Sequence, residues 1–366
     1  MMTEERILIT GNEAAGEAAI RAGCRFYFGY PITPQNELTA YMAQHVPEAG
    51  GVFIQAESEL AAINMCFGAA ACGQRTMTSS SSPGVSLKQE GISYCAGAEL
   101  PVVIINVMRG GPGLGNIEPA QGDYFQATKG GGHGDYRLIV LAPYSVEEFA
   151  NLTMLAFDLA DLYRIPVLLL ADGQLGQMME PCVFRKPPPL ELPPKDWALT
   201  GAKGRPKRIV RSFFLPAGIL AEHCKKLQAK YELIRQREVR FEERDVEEAD
   251  VVCVAYGTSA RICLEAARLA AKSGLRIGLF RPISLWPFPE QPIRRWAERG
   301  KKFLAVEMSA GQMVEDVRLT VEGRSPVGFV GRCGGGTPTT AQIIDAARAL
   351  KKSGDTILSS KKGEAR

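Results

Sequence analysis

The chain has 366 residues, of which 46% are hydrophobic and 23% are charged, and its formal net charge is +3. This length indicates two or three domains, and the composition is ordinary for a globular protein. So small a charge gives no basis for nucleic-acid or membrane binding. No run approaches the ~18 consecutive apolar residues of a membrane span, and the N-terminus lacks an export pattern. We expect a cytoplasmic protein with no nucleic-acid or membrane partner.

The nine cysteines are scattered, and none forms a C-x-x-C pair. The chain therefore shows no zinc or iron–sulfur ligand pattern of its own. Because free cysteines are usually buried, we expect reduced thiols in the core.

The first half of the chain alternates strands and helices. The predicted strands, several of them continuously apolar, are Arg75–Ser79, Pro101–Met108, Arg137–Ala142 and Pro166–Ala171. The predicted helices are Asn12–Ala22, Gln35–Gln44, Glu57–Ala71 and Ser145–Tyr163. Apolar strands that alternate with helices are typical of a parallel sheet covered on both faces. We therefore predict a doubly wound α/β domain over residues 1–185.

A proline-rich linker should follow, because residues 186–217 are rich in proline and such segments run extended. The next helix carries a stripe at 4-3-4-3 spacing, formed by Leu220, Cys224, Leu227, Tyr231 and Ile234. Such a stripe docks on its own domain or on a partner chain. Linker and helix together occupy 186–240.

A second α/β domain is predicted over residues 241–352. Its strands are Asp250–Ala255, Leu275–Phe280, Lys302–Glu307 and Val327–Val330, and its helices are Ser259–Ser273, Phe288–Arg299, Gln312–Glu322 and Thr339–Lys351. The Lys-rich tail at 353–366 is expected to be frayed.

Two acidic residues, Glu57 and Glu59, begin a helix that is otherwise mainly apolar. Residues two apart on a helix do not share a face. The face of Glu59 continues through small or apolar residues, namely Ala62, Ile63, Cys66 and Ala70. Glu59 is thus the better candidate for a buried carboxyl group, and such groups cluster at active sites. The helix macrodipole alone also favours acids at this position.

Four further segments carry candidate chemistry. In Tyr30–Pro34 two prolines fix the backbone around the Thr33 hydroxyl, which serves either a ligand or the cap of the next helix. Arg109 follows a strand, where ligands of open α/β sheets bind. The hydroxyl-rich segment 78–84 also follows a strand and is expected to be an ordered turn. His133 lies in a glycine-rich stretch, 130–134, that resembles a mobile lid.

Together these segments resemble the α-type subunit of the 2-oxoacid:ferredoxin oxidoreductases, in particular the member acting on 3-methyl-2-oxobutanoate (2-ketoisovalerate). The resemblance covers residues 6–352 and is carried in order by FGYPITPQNEL, FIQAESELAAIN, MTSSSSPGVSLKQEGISYCAGAELPVVI, NVMRGGPGLGN, DYFQATKGGGHGDYRLIVLAP, DGQLGQMMEP, RPISLWPFP and EMSAGQM.

The resemblance implies a thiamine diphosphate pyrimidine-binding domain followed by a transketolase C-terminal-like domain. It implies that Glu59 bonds the aminopyrimidine, with further cofactor contacts from Tyr30, Pro31, Ser82 and Pro83. It assigns the catalytic or substrate-binding positions to Thr33, Arg109 and Asn116. The implied reaction is oxidative decarboxylation of a 2-oxoacid to acyl-CoA and CO2, with ferredoxin as electron acceptor.

The chain lacks the G-D-G…N-N motif that holds magnesium and diphosphate in thiamine enzymes: Ala171 precedes Asp172-Gly173, and no Asn-Asn follows. We therefore expect a β-type partner subunit to supply the diphosphate and Mg2+ half-site. Iron–sulfur clusters are expected on γ-type and ferredoxin-like partner subunits. Ferredoxin and coenzyme A complete the expected partners of this hetero-oligomer.

Three alternatives remain open at this point. The same subunit role with 2-oxoglutarate would need another cation in the pocket, for which Lys129 and Arg137 are nearby. Pyruvate is a second possible substrate. The third alternative is a non-catalytic thiamine-fold assembly subunit, against which the joint presence of Thr33, Glu59 and Arg109 counts. The α/β pattern alone would also fit a nucleotide-dependent dehydrogenase, but fold does not fix function.

Overall fold

A computed structural model describes residues 6–352. The predicted tail at 353–366 lies outside the described residues. The strands are β1 (Ile7–Thr10), β2 (Phe26–Gly29), β3 (Val52–Gln55), β4 (Thr76–Ser80), β5 (Val103–Met108), β6 (Ile139–Leu141), β7 (Val167–Asp172), β8 (Met179–Cys182), β9 (Phe241–Arg244), β10 (Val251–Val254), β11 (Ile277–Pro282), β12 (Ser284–Trp286), β13 (Phe303–Glu307) and β14 (Val327–Gly331).

The helices alternate with these strands along most of the chain. They are α1 (Gly11–Arg21), α2 (Asn36–Glu48), α3 (Glu59–Ala71), α4 (Ser82–Gly97), α5 (Val146–Tyr163), α6 (Gly173–Gln177), α7 (Ile219–Arg237), α8 (Gly257–Ala271), α9 (Glu290–Glu298), α10 (Met313–Val321) and α11 (Thr340–Lys352), with a π-helical turn at Gln126–Gly130. No helix within residues 6–352 combines the length and apolar character that a membrane crossing requires.

The first sheet has the spatial order β12-β6-β7-β5-β4-β2-β3. All neighbours in it are parallel except β12, which pairs antiparallel with β6 at one edge. Its central strand β5 is wholly buried, as expected for a sheet covered by helices on both faces. The second sheet, β14-β13-β10-β11-β9, is parallel except for β9. The α/β prediction with two mainly parallel sheets is confirmed.

The second sheet and the first are joined by more than the linker. Strand β12 comes from the region predicted as the second domain, yet it extends the first sheet. Asp172, at the end of β7, accepts hydrogen bonds from the hydroxyl of Thr258 (2.7 Å) and from its backbone N–H (3.0 Å). Gln121 donates to the carbonyl of Tyr256 at 2.9 Å. One hydrophobic core also continues from the first unit into the second.

The proline-rich segment contains neither helix nor strand between Cys182 and Ile219, as predicted. Helix α7 then packs on the first unit through the later part of its stripe. Leu227, Tyr231 and Ile234 are buried there, whereas Leu220 is 49% exposed. Ion pairs from Lys226 and Lys230 to Glu99 fasten the same helix. The docking of α7 on its own domain is therefore observed for three of the five stripe residues.

Six of the nine cysteines are buried, as expected for core thiols, while Cys72 and Cys333 are exposed and Cys224 is intermediate. All nine are free thiols. Strands β2 and β3 were not among the predicted strands. Both are only four residues long, which leaves little room for a periodic pattern.

Candidate active site

The candidate residues meet at one edge of the first sheet. Strands β2, β3, β4 and β5 are parallel neighbours, so their carboxyl ends lie together. Each of these ends leads directly into one of the segments singled out in the sequence, at 30–34, 57–59, 81–83 and 109–115. This edge is where open α/β sheets bind ligands.

Glu59 is the first residue of α3 and is 5% exposed, whereas Glu57 is exposed. The prediction that Glu59 is the buried member of the pair is confirmed. Ser58 caps the helix, because its hydroxyl accepts the backbone N–H of Ala61 at 3.3 Å. Among the described residues, none makes a hydrogen bond or direct ion pair with the Glu59 carboxylate. A buried carboxylate without a partner is costly, so Glu59 is a candidate ligand-binding group.

Gly84, in the first turn of α4, leaves open the space in front of that carboxylate. A Cβ at this position would lie 2.3 Å from Glu59 Oε1 and 2.1 Å from Ser80 Oγ. The hydroxyls of Ser80 and Ser81 are buried and have no partner among the described residues. The glycine thus keeps a gap lined by unpartnered polar groups, where any side chain would intrude.

The Tyr30–Pro34 turn is held against Arg109. The Arg109 guanidinium is 8% exposed and donates from one terminal nitrogen to the carbonyl of Thr33 at 3.0 Å and from the other to the carbonyl of Leu114 at 3.0 Å. Its Nε is buried and has no partner among the described residues. The structure therefore brings Thr33 and Arg109 together and leaves Arg109 with an unused donor.

The Thr33 hydroxyl accepts a hydrogen bond from the Asn36 side chain at 3.3 Å. Helix α2 begins one residue later than predicted, and its N-cap, Gln35, makes no side-chain capping bond. Thr33 therefore does not cap α2 through a backbone N–H, and its own hydroxyl proton remains available. Tyr30 is 38% exposed and Pro31 is exposed at the rim of the site.

Ser82 and a residue that the sequence did not indicate, Asp123, form the wall beside Arg109. The Ser82 hydroxyl donates to Asp123 Oδ2 at 2.6 Å and accepts the backbone N–H of Arg109 at 3.0 Å. Asn106 donates to the same carboxylate oxygen at 2.9 Å. Burial raises the pKa of Asp123, and these two hydrogen bonds oppose part of that rise.

A cavity of about 310 Å³ opens next to this wall, between the first and second units. Its lining includes Ser82, Pro83, Asp123, Met308 and Cys333. The described lining residues include no lysine or arginine. The cavity therefore offers apolar surface, hydroxyl groups and the Asp123 carboxylate but no counter-charge for an anion, and Glu59, Thr33 and Arg109 do not line it.

Other predicted residues lie elsewhere. Asn116 is exposed and bridges to the second unit, donating to the carbonyl of Gly334 at 2.8 Å. Lys129 forms an ion pair with Asp316, and Arg137 donates to the carbonyl of Thr128 at 3.0 Å. Neither cation lines the cavity.

His133 is exposed, and its ring lies 6.3 Å from that of Tyr94. Tyr94 is twelve residues, about 18 Å, along α4 from the site end of that helix. The described geometry therefore places His133 away from Glu59 and Arg109.

The family comparison bears directly on this site. Residues 17–236 match the family described as pyruvate flavodoxin/ferredoxin oxidoreductase, thiamine diphosphate-binding. Residues 249–343 match pyruvate:ferredoxin oxidoreductase core domain II. The chain belongs to the 2-oxoacid:ferredoxin oxidoreductases. It is an oxidoreductase subunit, and the family predicted from the motifs is confirmed.

Two characterised relatives of this oxidoreductase subunit differ in substrate. Ketoisovalerate oxidoreductase subunit VorB of Methanothermobacter marburgensis is 51% identical, over 94% of this chain and 97% of the relative. The 2-oxoglutarate synthase subunit KorA of Archaeoglobus fulgidus is 42% identical, over 86% of this chain and 91% of the relative.

Solved structures agree with this assignment. The 2-oxoglutarate:ferredoxin oxidoreductase of Magnetococcus marinus, solved with 2-oxoglutarate, coenzyme A and succinyl-CoA bound, superposes with a TM-score of 0.81 at 27% identity. The match covers 95% of this chain and 66% of that chain. An inactive split-gene transketolase tetramer shares the fold alone, with a TM-score of 0.54 at 14% identity.

The arrangement fits half of a thiamine diphosphate site. The unpartnered Glu59 carboxylate and the gap kept by Gly84 suit a flat ring that offers a polar nitrogen. Within residues 6–352, by contrast, no group of three or more His, Cys, Asp or Glu side chains is placed to hold a metal ion. Asp172, which corresponds to the aspartate of the G-D-G motif, accepts hydrogen bonds from the Thr258 hydroxyl and from a backbone N–H at the N-terminus of α6.

Proposed function

We propose that this chain supplies the pyrimidine half of the thiamine diphosphate site in a ferredoxin oxidoreductase for a branched-chain 2-oxoacid, 3-methyl-2-oxobutanoate. The observation that carries the proposal is the buried, unpartnered Glu59 carboxylate at the sheet edge where Arg109 and Thr33 also meet. Partner subunits would bring the diphosphate and Mg2+ half-site and the iron–sulfur clusters.

The surface around Glu59 supports docking of such a partner. Apolar side chains stand exposed on the strands, loops and helices that form the site, namely Tyr30, Val52, Ile54, Leu60, Leu87 and Leu114. Val52 and Ile54 belong to β3, which is the open edge of the first sheet. Exposed apolar side chains clustered beside an incomplete site are typical of a subunit interface.

When bound, thiamine diphosphate supplies the carbanionic carbon and the electron sink that 2-oxoacid decarboxylation requires. The residues of this chain would bind and orient the cofactor and the substrate. Glu59 would hydrogen-bond a nitrogen of the pyrimidine ring. The Arg109 guanidinium would pair with the substrate carboxylate, and Thr33 would donate its hydroxyl proton to a substrate oxygen. Tyr30, Pro31, Ser82 and Pro83 would border the cofactor.

The lining of the 310 Å³ cavity favours a branched-chain substrate over 2-oxoglutarate. A second substrate carboxylate would be buried there without a cation, at a cost of several kcal/mol. Lys129 and Arg137, the two cations considered from the sequence, are engaged elsewhere. The 51% identity to a ketoisovalerate oxidoreductase subunit supports the same substrate.

The test is to purify the chain with its native partners and to measure viologen reduction with coenzyme A. Three substrates are compared: 3-methyl-2-oxobutanoate, 2-oxoglutarate and pyruvate. We expect kcat/KM for 3-methyl-2-oxobutanoate to exceed the others by at least ~10-fold, the usual value of a fitted apolar pocket. Higher kcat/KM for 2-oxoglutarate or pyruvate would reassign the substrate.

The half-site itself is tested with the isolated chain. We expect no turnover and only weak binding of thiamine diphosphate by calorimetry, because the sequence lacks the G-D-G…N-N motif that holds the diphosphate and magnesium. Tight binding and turnover by the chain alone would overturn the division of the site between subunits. A complex that binds the cofactor but turns over none of the three acids would favour a non-catalytic assembly role.

A further inference from the structure

Asp123 has no place in the proposed chemistry, yet it bonds to two elements that meet at the site. Its Oδ2 accepts hydrogen bonds from the Ser82 hydroxyl at 2.6 Å and from the Asn106 side chain at 2.9 Å. Ser82 is the first residue of α4, and Asn106 lies in β5. One carboxylate oxygen therefore joins the start of a helix to a strand that ends at the site edge.

The hydrogen bonds around this oxygen form a closed ring. The side-chain carbonyl of Asn106 accepts the backbone N–H of Ser82 at 3.1 Å, so Asn106, Ser82 and Asp123 each bond to the other two. A displacement of any one of them would break two hydrogen bonds. Such connected polar networks make a local arrangement rigid when every member is satisfied.

The Ser82 hydroxyl connects this ring to Arg109. It accepts the backbone N–H of Arg109 at 3.0 Å. The Arg109 carbonyl, at 3.3 Å, is a second acceptor within reach of the hydroxyl proton. A hydroxyl has only one proton to donate, and the charged Asp123 oxygen at 2.6 Å is the stronger acceptor. Asp123 therefore keeps the hydroxyl turned so that its oxygen can accept the Arg109 N–H.

The direction of the Arg109 guanidinium depends on this backbone position. Its terminal nitrogens donate to the carbonyls of Thr33 and Leu114, both at 3.0 Å. These carbonyls belong to two different loops, and hydrogen bonds weaken as their length and angle depart from the optimum. A shift of the Arg109 backbone would therefore loosen the guanidinium from at least one of them.

Contacts with the second unit hold Asp123 itself in place. On one side of it, the Gln121 side chain accepts the backbone N–H of Met308 at 3.0 Å. On the other side, the Tyr124 hydroxyl donates to Asp316 at 2.6 Å. Both Gln121 and Tyr124 are fully buried. The second unit thus fixes the segment 121–124, in which Asp123 closes the ring.

We infer that Asp123 is a positioning residue for Arg109, acting through the Ser82 hydroxyl and held by the second unit. This inference rests on the proposed function, in which the Arg109 guanidinium pairs with the substrate carboxylate. Asp123 also lines the 310 Å³ cavity, so a direct effect of its charge is the alternative. Positioning requires a hydrogen-bond acceptor at residue 123, whereas the alternative requires the negative charge.

Three substitutions separate these requirements. Asp123→Asn keeps an oxygen that can accept both hydrogen bonds, Asp123→Ala removes it, and Asp123→Leu removes it but fills the space. In the complex with native partners, we expect the Ala and Leu variants to raise KM for the 2-oxoacid about tenfold, because a misaligned guanidinium binds a carboxylate less well. The kcat should change little, as for a loss of binding alone, and Asp123→Asn should keep the wild-type KM.

Arginine labelling gives a second readout that needs no turnover. In the full chain, modification of Arg109 by phenylglyoxal is followed by mass spectrometry, with the exposed Arg299 as internal reference. Because Arg109 is 8% exposed, we expect slow labelling in the wild type and in Asp123→Asn, and faster labelling in Asp123→Ala and Asp123→Leu. Glu118→Ala is the matched control, because Glu118 is exposed in the same loop and lies outside the ring. It should match the wild type in both measurements.

Unchanged labelling of Arg109 in a folded Asp123→Ala or Asp123→Leu chain would overturn the inference, whatever the KM. Equal impairment of Asp123→Asn and Asp123→Ala would overturn it in favour of a direct effect of the charge. Failure of both the Ala and the Leu variant to fold would also overturn it, because Asp123 would then serve the fold.

Failure of the proposed function would look different. Faster labelling of Arg109 with an unchanged KM would contradict the assignment of Arg109 to the substrate, and not its positioning by Asp123. Absence of turnover in the wild-type complex would likewise refute the proposed function alone, since the labelling does not depend on activity.

Discussion

Two buried glutamates, one in each α/β unit, lie at or just beyond the end of a strand but differ in their hydrogen bonding. Glu307 ends β13 and is fully buried. It accepts hydrogen bonds from the Ser309 hydroxyl and from the backbone N–H groups of Gln312, Met313 and Val314, at 2.9–3.1 Å. Glu59 follows β3 and is nearly as buried, yet its carboxylate has no hydrogen-bond partner among the described residues.

The difference separates a carboxylate that serves the fold from one that we propose serves the cofactor. Burial raises the pKa of Glu307, and its four hydrogen bonds oppose that rise, so the group fastens α10 to the second sheet. Glu59 makes no comparable hydrogen bonds among the described residues, so its carboxylate oxygens can still accept them. Burial alone therefore does not distinguish the two glutamates, whereas unused hydrogen-bonding capacity does.

Glu59→Gln should have the largest effect on turnover, and it tests whether Glu59 and Glu307 differ in role. In the assembled complex we expect turnover to fall by at least ~100-fold, the usual size of a lost acid–base contribution. The melting temperature should stay near that of the wild type, because no hydrogen bond from Glu59 stabilises the fold. Glu57→Gln, two residues away and exposed, is the control and should retain normal turnover. Near-normal turnover of Glu59→Gln would contradict the assigned role.

Glu307→Gln, unlike Glu59→Gln, should lower the stability of the protein. The new amide group would face backbone donors, and an unsatisfied buried donor costs about 1–3 kcal/mol. We expect the free energy of unfolding to fall by about 2–3 kcal/mol in urea titrations. Glu315→Gln, on the exposed side of α10, should change it by less than about 0.5 kcal/mol. Equal stability of the two variants would mean that the hydrogen bonds of Glu307 contribute little.

Gly84→Ala tests the gap in front of Glu59. The added methyl group would displace the Glu59 carboxylate and Ser80, which lie 2.3 Å and 2.1 Å from the Cβ position. We expect affinity of the complex for thiamine diphosphate to fall by about tenfold, since small misplacements of a site group are costly. Gly68→Ala, where a Cβ meets nothing within 4 Å, should instead stabilise the isolated chain by about 0.5–1 kcal/mol. Unchanged affinity in Gly84→Ala would show that the gap is not used.

Glu99 is a third buried carboxylate, and it forms ion pairs with two lysines. Burial raises its pKa, but Lys230 and Lys226 outweigh burial and hold it at about 2, below the ordinary 4.5. The stabilisation is therefore complete above pH 4.5 and is lost as the pH falls toward 2. We expect a loss of about 1–2 kcal/mol, since solvent screens the exposed Lys226. Urea titrations at pH 5 and pH 3 measure it, and a Glu99→Gln chain with the same pH dependence would contradict it.

The sequence predicted most of this architecture because the long apolar strands and amphipathic helices dominate their segments. It also predicted that Glu59, and not Glu57, is buried, since the face of α3 beyond Glu59 is apolar. Thr33 and Arg109 were identified as separate candidates, and they meet at 3.0 Å because β2 and β5 end at the same sheet edge, on either side of β4.

Other features could not be read from local patterns. Lys88 lies in a helix where a lysine is ordinarily solvent-exposed, and only the tertiary fold buries it. Asp123 carries no motif, and its role depends on Ser82 and Asn106, which are distant in the sequence. The assignment of β12 to the first sheet rests on non-local pairing of three residues with β6, for which no sequence signal exists.

The pairing of β12 with β6 limits how the chain can be divided. A fragment that ends before Ser284 would lack one strand of its own first sheet and would expose the β6 edge. Open strand edges promote association between chains. Limited proteolysis or gene splitting in the proline-rich segment would therefore yield two pieces that stay bound to each other. An exchange of second units between relatives would have to carry a matching 284–286 segment with it.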